Sequence, residues 1–199
     1  MKRNLLLIGL ATVFALASCG GASEEKTTDE EQDKAPVCEV ENGISVTVQD
    51  YMYSMSDTLV LNMAEFEVKT SDYKWINDST VSLKLSNYEV ADLVGARTPE
   101  QVDINIEINA RNGEKLEGGY YGYHAYDTGK WSRVTLTTAY GTVWFNWVSG
   151  MPEQGGVTIE YVGEDAICGT LELNNEKPDN DMIGIVRVNG TFVYKETEE

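Results

Sequence analysis

Histidine is nearly missing from this chain: a single one, His124, stands in 199 residues. That removes most zinc chemistry, because such sites combine several His or Cys ligands. It also leaves Ser-His-Asp catalysis one candidate base, set in Gly118-Gly119-Tyr120-Tyr121-Gly122-Tyr123-His124-Ala125-Tyr126, with no Gly-x-Ser-x-Gly elbow anywhere. His124 reads as an ordinary strand residue. Basic residues are scarce too, 15 Lys and Arg against 33 Asp and Glu, a net charge of −18. A surface of that sign repels polyanions and argues against nucleic acid and anionic headgroups as partners. It keeps a domain soluble, or it steers a basic protein toward it. Also lacking is any apolar run of the ~20 residues a membrane-spanning helix needs. No helical period, internal repeat or second domain shows beyond Pro36. Carboxylates abound, with Glu39/Glu41 and Glu65/Glu67 at i, i+2. A glycosidase pair must be held ~5–9 Å apart across a cleft, and no pattern marks a cleft. The sequence therefore leans against an enzyme, and no motif calls for a cofactor.

What is present begins at the N-terminus. Lys2 and Arg3 precede an apolar run from Leu5 to Leu16, closed by small residues. A charged start, a short apolar stretch and small residues at the cut form a secretory signal. The closing residues Leu16-Ala17-Ser18-Cys19 resemble the lipobox of bacterial lipoproteins. The resemblance implies removal of residues 1–18 and acylation of Cys19, palmitate-type chains then holding the protein to a membrane of the cell envelope. An outer-membrane anchor, facing periplasm or surface, is the location it implies. Cleavage takes two of the 15 bases and none of the 33 acids, moving the net charge from −18 to −20. Residues 20–36 hold no aliphatic larger than Ala and no aromatic, so they cannot offset their chain entropy by burial. A disordered acidic tether over 19–36 follows, and then a single domain over 37–199.

That domain has a period of two. Val102-Asp103-Ile104-Asn105-Ile106-Glu107-Ile108-Asn109 alternates strictly, as do Val81 to Leu85 and Val157 to Tyr161. Segments 44–49, 59–69, 131–138, 141–148, 167–173 and 183–195 also read as strands. Asn42-Gly43, Asn112-Gly113 and Asn189-Gly190 are hairpin signals, because both residues supply positive φ cheaply. Roughly ten strands joined this way predict an all-β fold, an antiparallel sandwich (jelly-roll-like) or a barrel. Residues 89–100 have room for one helical turn.

Export leaves Cys38 and Cys168 as an even pair in an oxidising compartment, which predicts a disulfide; two unpaired buried thiols are the alternative. Cys168 falls on the strand face opposite Ile167, Leu171 and Leu173. Aromatics crowd residues 120–147. Val143, Phe145 and Trp147 share one face of their strand, with Trp144, Asn146 and Val148 on the other. If one face is core, the other exposes Trp144, and Trp131, Trp144, Asn146 and Trp147 become candidate ligand-binding residues. A strand buried on both faces is the competing reading. In the oxygen-rich loop 174–181, Asp179 and Asp181 are candidate cation ligands, although the spacing fits no EF-hand.

These features predict a membrane-anchored envelope or surface lipoprotein with a non-catalytic ligand-binding or structural β domain. An inhibitor or immunity-type protein that captures a basic partner is one alternative, and a carbohydrate-binding module is the other. Cys19→Ala is expected to block acylation and leave the uncleaved precursor or a soluble form. Detergent phase partitioning and intact mass report this. A wild-type chain without added acyl mass would end the lipoprotein reading.

Overall fold

The computed structural model describes residues 38–52, 54, 57–89, 95–111, 113–123, 129–144, 154–175 and 183–196. The signal 1–18, Cys19, the tether 19–36, His124, Asn146, Trp147, Asp179 and Asp181 lie outside the described residues, as does part of the 89–100 segment.

Eleven strands follow one another: β1 (Gly43–Met52), β2 (Thr58–Phe66), β3 (Thr70–Asn77), β4 (Thr80–Ser86), β5 (Asp103–Asn109), β6 (Gly119–Gly122), β7 (Trp131–Thr138), β8 (Gly141–Trp144), β9 (Gly155–Val162), β10 (Ala166–Asn175) and β11 (Ile183–Lys195). They form a six-stranded sheet, ordered β2-β1-β11-β10-β9-β6, and a five-stranded sheet, ordered β3-β4-β5-β7-β8. Every paired neighbour runs antiparallel. The fold is an all-β sandwich and not a closed barrel, and no helix occurs among the described residues.

Alternation explains the two layers. Ile104, Ile106 and Ile108 of β5 face inward beside Val81, Leu83 and Leu85 of β4 and Val134 and Leu136 of β7. Opposite them the six-stranded sheet turns in Ile44, Val46, Val48, Leu171, Leu173, Val186, Val188 and Phe192. These side chains form one continuous core whose burial drives the stacking of the sheets. On β3, Tyr73 and Trp75 point inward; Tyr73 meets Tyr194 at 5.2 Å between ring centres and donates its hydroxyl to the Gly163 carbonyl at 2.9 Å.

The hairpin signals are corrected. Asn42-Gly43 opens β1, where the Asn42 side chain accepts from the Val193 N–H and donates to the Val193 carbonyl. Asn189-Gly190 lies inside β11 and turns nothing. Gly190 has φ +130°, and a Cβ there would collide with the Gly43 carbonyl oxygen, so this glycine serves a close approach between β1 and β11. Asn112 lies outside the described residues, and Gly113 sits in the loop between β5 and β6, which belong to different sheets. The tight turns fall instead at Asp78-Ser79 and Ala139-Tyr140. The run 59–69 ends as strand at Phe66, and residues 70–77 form a separate strand.

Cys38 and Cys168 are bonded, with Cα atoms 5.8 Å apart. The bridge lies on the outer face of the six-stranded sheet, yet both residues are buried, Cys168 to 1% exposure. Residues just ahead of β1 run along β11, with the Glu41 carbonyl accepting from the Thr191 hydroxyl at 2.7 Å. A crosslink spanning 130 residues removes unfolded-state entropy worth up to ~4–5 kcal/mol in the chain-entropy model. Purified, never-reduced protein should therefore show neither Cys38 nor Cys168 to a thiol reagent, and reduction should lower its melting temperature. Titration of both thiols in the native protein would contradict the bridge.

Candidate functional site

The outer face of the five-stranded sheet is an ordered array, because residues directly opposite on neighbouring strands point the same way. Register puts Thr70, Ser86, Asp103, Thr137 and Thr142 in one row across the strands. The next row holds Asp72, Lys84, Asn105, Thr135 and Trp144. A third holds Lys74, Ser82, Glu107 and Arg133, and a fourth Thr80, Asn109 and Trp131.

Charges within the array balance in number. Asp72, Asp103 and Glu107 stand against Lys74, Lys84 and Arg133. Arg133 pairs with Glu107 across the strands, and its guanidinium lies 5.8 Å from the centre of the Trp131 ring. That ring face is therefore taken. Asp103 is 1% exposed and is clamped from three sides. Ser86 donates to it at 2.7 Å, Arg97 reaches in from the loop after β4 at 2.6 Å, and Lys84 stands at 3.5 Å. Arg97 in turn donates to the Tyr88 hydroxyl at 3.2 Å. Burial pushes the Asp103 carboxyl up, but hydrogen bonds from Ser86 and Tyr88 and the charges of Lys84 and Arg97 outweigh it and hold the group below the ordinary carboxylate value.

Trp144 differs from its neighbours. It ends the described part of β8, an edge strand, with Val143 turned into the core and its own side chain 45% exposed on the outer face. Its backbone N–H donates to the Tyr51 hydroxyl at 3.2 Å, tying this edge to a residue of the other sheet. Beside it, Asn105 spends its amide N–H on the Thr137 hydroxyl at 3.0 Å. The Asn105 side-chain carbonyl and the hydroxyls of Thr135 and Ser82 have no hydrogen bond among the described residues. A depression of about 250 Å³ is lined by Ser82, Asn105, Glu107, Arg133, Thr135 and Trp144.

Of the candidate ligand-binding residues, Trp131 and Trp144 lie on this face, separated along and across β7 and β8 by the Arg133–Glu107 pair and Thr135. The alternation of β8 was the signal for Trp144, and the crowding of aromatics the signal for Trp131. The clamp on Asp103 had no such signal, because Arg97 and Tyr88 lie outside the strands, between β4 and β5. A wider depression, about 890 Å³, lies among Trp75, the β3–β4 turn, residues 113–115 and the β9–β10 turn. Its one aromatic among the described residues, Trp75, keeps its indole nitrogen buried with no hydrogen-bond partner among them. No grouping of three or more His, Cys, Asp or Glu able to hold a metal ion occurs among the described residues. Comparison with protein-family models, curated proteins and solved structures finds no match to this chain.

Asp103→Asn should cost about 1–3 kcal/mol at neutral pH, because the clamp loses its negative charge and one of its two acceptor oxygens. A depressed folded pKa places that stabilisation above the unfolded value of about 3.9. It is lost as pH falls through the folded value. The melting temperatures of wild type and variant should thus differ at pH 7 and converge in acid, which denaturation at several pH values checks.

Proposed function

We propose that this chain is a bacterial envelope lipoprotein, held by acyl chains on Cys19, whose β domain is a non-catalytic ligand-binding module. The outer face of the five-stranded sheet, centred on Trp144, is its site. The observation that carries this reading is the exposure of Trp144, an aromatic ring open on the outer face beside Asn105 and Thr135 while the neighbouring Arg133 and Glu107 are paired. An indole left open to water at 45% exposure costs solvation free energy that covering it by a ligand would return. The strand beneath it is fixed by core packing through Val143, so the platform is preorganised. Glu107 is engaged by Arg133 and Asp103 by three partners, which leaves neither as an idle acid or base. That supports binding over hydrolysis.

Capture of a basic partner remains the second reading, and the net charge of −18 favours it. Such a partner would gain little on this face, where carboxylates and cations match. Its docking would use other acidic surface and would weaken steeply with salt.

Trp144→Ala should change stability by no more than about 0.5–1 kcal/mol, since no core cavity opens. Trp144→Phe should remove a red-shifted, acrylamide-accessible part of the tryptophan emission. Truncation of a core ring would instead cost about 3–5 kcal/mol. A loss that large, without a change in quenching, would sink the site.

A further inference from the structure

Resting on that reading, we infer that the ligand of this face is a neutral glycan, laid across the strands along the row Lys84, Asn105, Thr135 and Trp144. Three features of the face converge on this chemistry. The first is the platform. Trp144 offers a flat ring whose negative π-face suits the C–H face of a pyranose, the weakly positive apolar side of a sugar. Trp131 cannot serve in the same way, because Arg133 occupies its ring.

The second feature is the set of polar groups next to the platform. Thr135 is the direct neighbour of Trp144, and Asn105 is the direct neighbour of Thr135. Strands lie ~4.8 Å apart, so β8 to β4 spans about 14 Å, the scale of a short run of sugar rings. Along that line the Asn105 carbonyl accepts, while the Thr135 hydroxyl both gives and accepts. Ser82 adds a second hydroxyl at the edge of the same depression. Sugar hydroxyls match such groups because each is itself donor and acceptor.

The third feature is charge. Beside Trp144, Asn105 and Thr135, an anionic ligand would have to recruit Lys84 or Arg133, since Lys74 stands on β3, at the opposite edge of the sheet from β8. Lys84 stands beside Asp103, and Arg133 is held by both Glu107 and Trp131. A cationic ligand meets the same pairs from the other side. The remainder of this acidic molecule repels anions at longer range. An uncharged ligand breaks no pair and suffers no repulsion.

The test uses the full acylated protein in a non-glycosidic detergent, run in native gels cast with single polysaccharides. The neutral probes are an α-glucan, a β-glucan, a mannan and a galactan; alginate and heparin are the anionic ones. At least one neutral polysaccharide should retard the protein, equally at low salt and at about 1 M NaCl, where the Debye length is only about 3 Å. Trp144→Ala should weaken that retardation on the order of tenfold or more, Trp144→Tyr should restore part of it, and Asn105→Ala should weaken it. Tyr140→Ala, an exposed aromatic outside the row, should not. Retardation by none of the neutral polysaccharides overturns the inference. So does retardation by alginate or heparin alone; if Trp144→Ala abolishes it, the face still stands as a binding site. Neutral retardation unchanged in folded Trp144→Ala overturns the inference and the site together.

Discussion

Ile104, Ile106 and Ile108 can reach the core only if Asp103, Asn105, Glu107 and Asn109 point the other way, and this coupling governs the rest of the molecule. A slip of one residue would carry every aliphatic of β5 to water and every polar group inward. Burial of the two aliphatic faces against each other therefore fixes the pairing of β4, β5, β7 and β8, and with it the rows on the outer face. Trp144 needs no contact of its own side chain to be positioned. Val143 next to it, packed inside, does that work.

Residual polar groups are handled by proximity across strands. Asp103 is the extreme case, a carboxylate at 1% exposure whose desolvation is offset by Ser86, Lys84 and Arg97. Arg97 lies between β4 and β5, so the clamp also ties Tyr88 and Arg97 to the sheet. Glu107 and Arg133 are a milder version, half-open to water and therefore worth less to stability. Their effect on the face is chemical rather than energetic: they neutralise each other in the part of it beside Trp144.

The alternation of β5, β4 and β9 was legible in the sequence because an aliphatic-polar repeat has one structural solution. The opposed faces of Val143 and Trp144 were legible for the same reason. β3 escaped because Asp72 and Lys74 dilute its apolar signal, as suits an edge strand that must not pair with other chains. β6 escaped because it is only Gly119–Gly122. Asn189-Gly190 misled because glycine has two uses, positive φ in a turn and room for a neighbouring backbone, and the sequence does not distinguish them. The disulfide was legible from cysteine arithmetic, but its burial was not, since that depends on how residues ahead of β1 lie along β11. Partners such as Asp103 and Arg97, or Glu107 and Arg133, meet only after register is set, so no local pattern announces them.

The disulfide also decides how the domain would bear a mechanical load. A pull on the chain ahead of Cys38 does not act first on the end of β1, where pairs with β11 would open one at a time like a zipper. It passes through the sulfur atoms into Cys168 on β10, an interior strand hydrogen-bonded on both sides. Force entering there must shear two ladders at once, so many hydrogen bonds share it instead of each failing in turn. Reduction would reroute the same pull to Gly43 and convert a shear geometry into a peeling one.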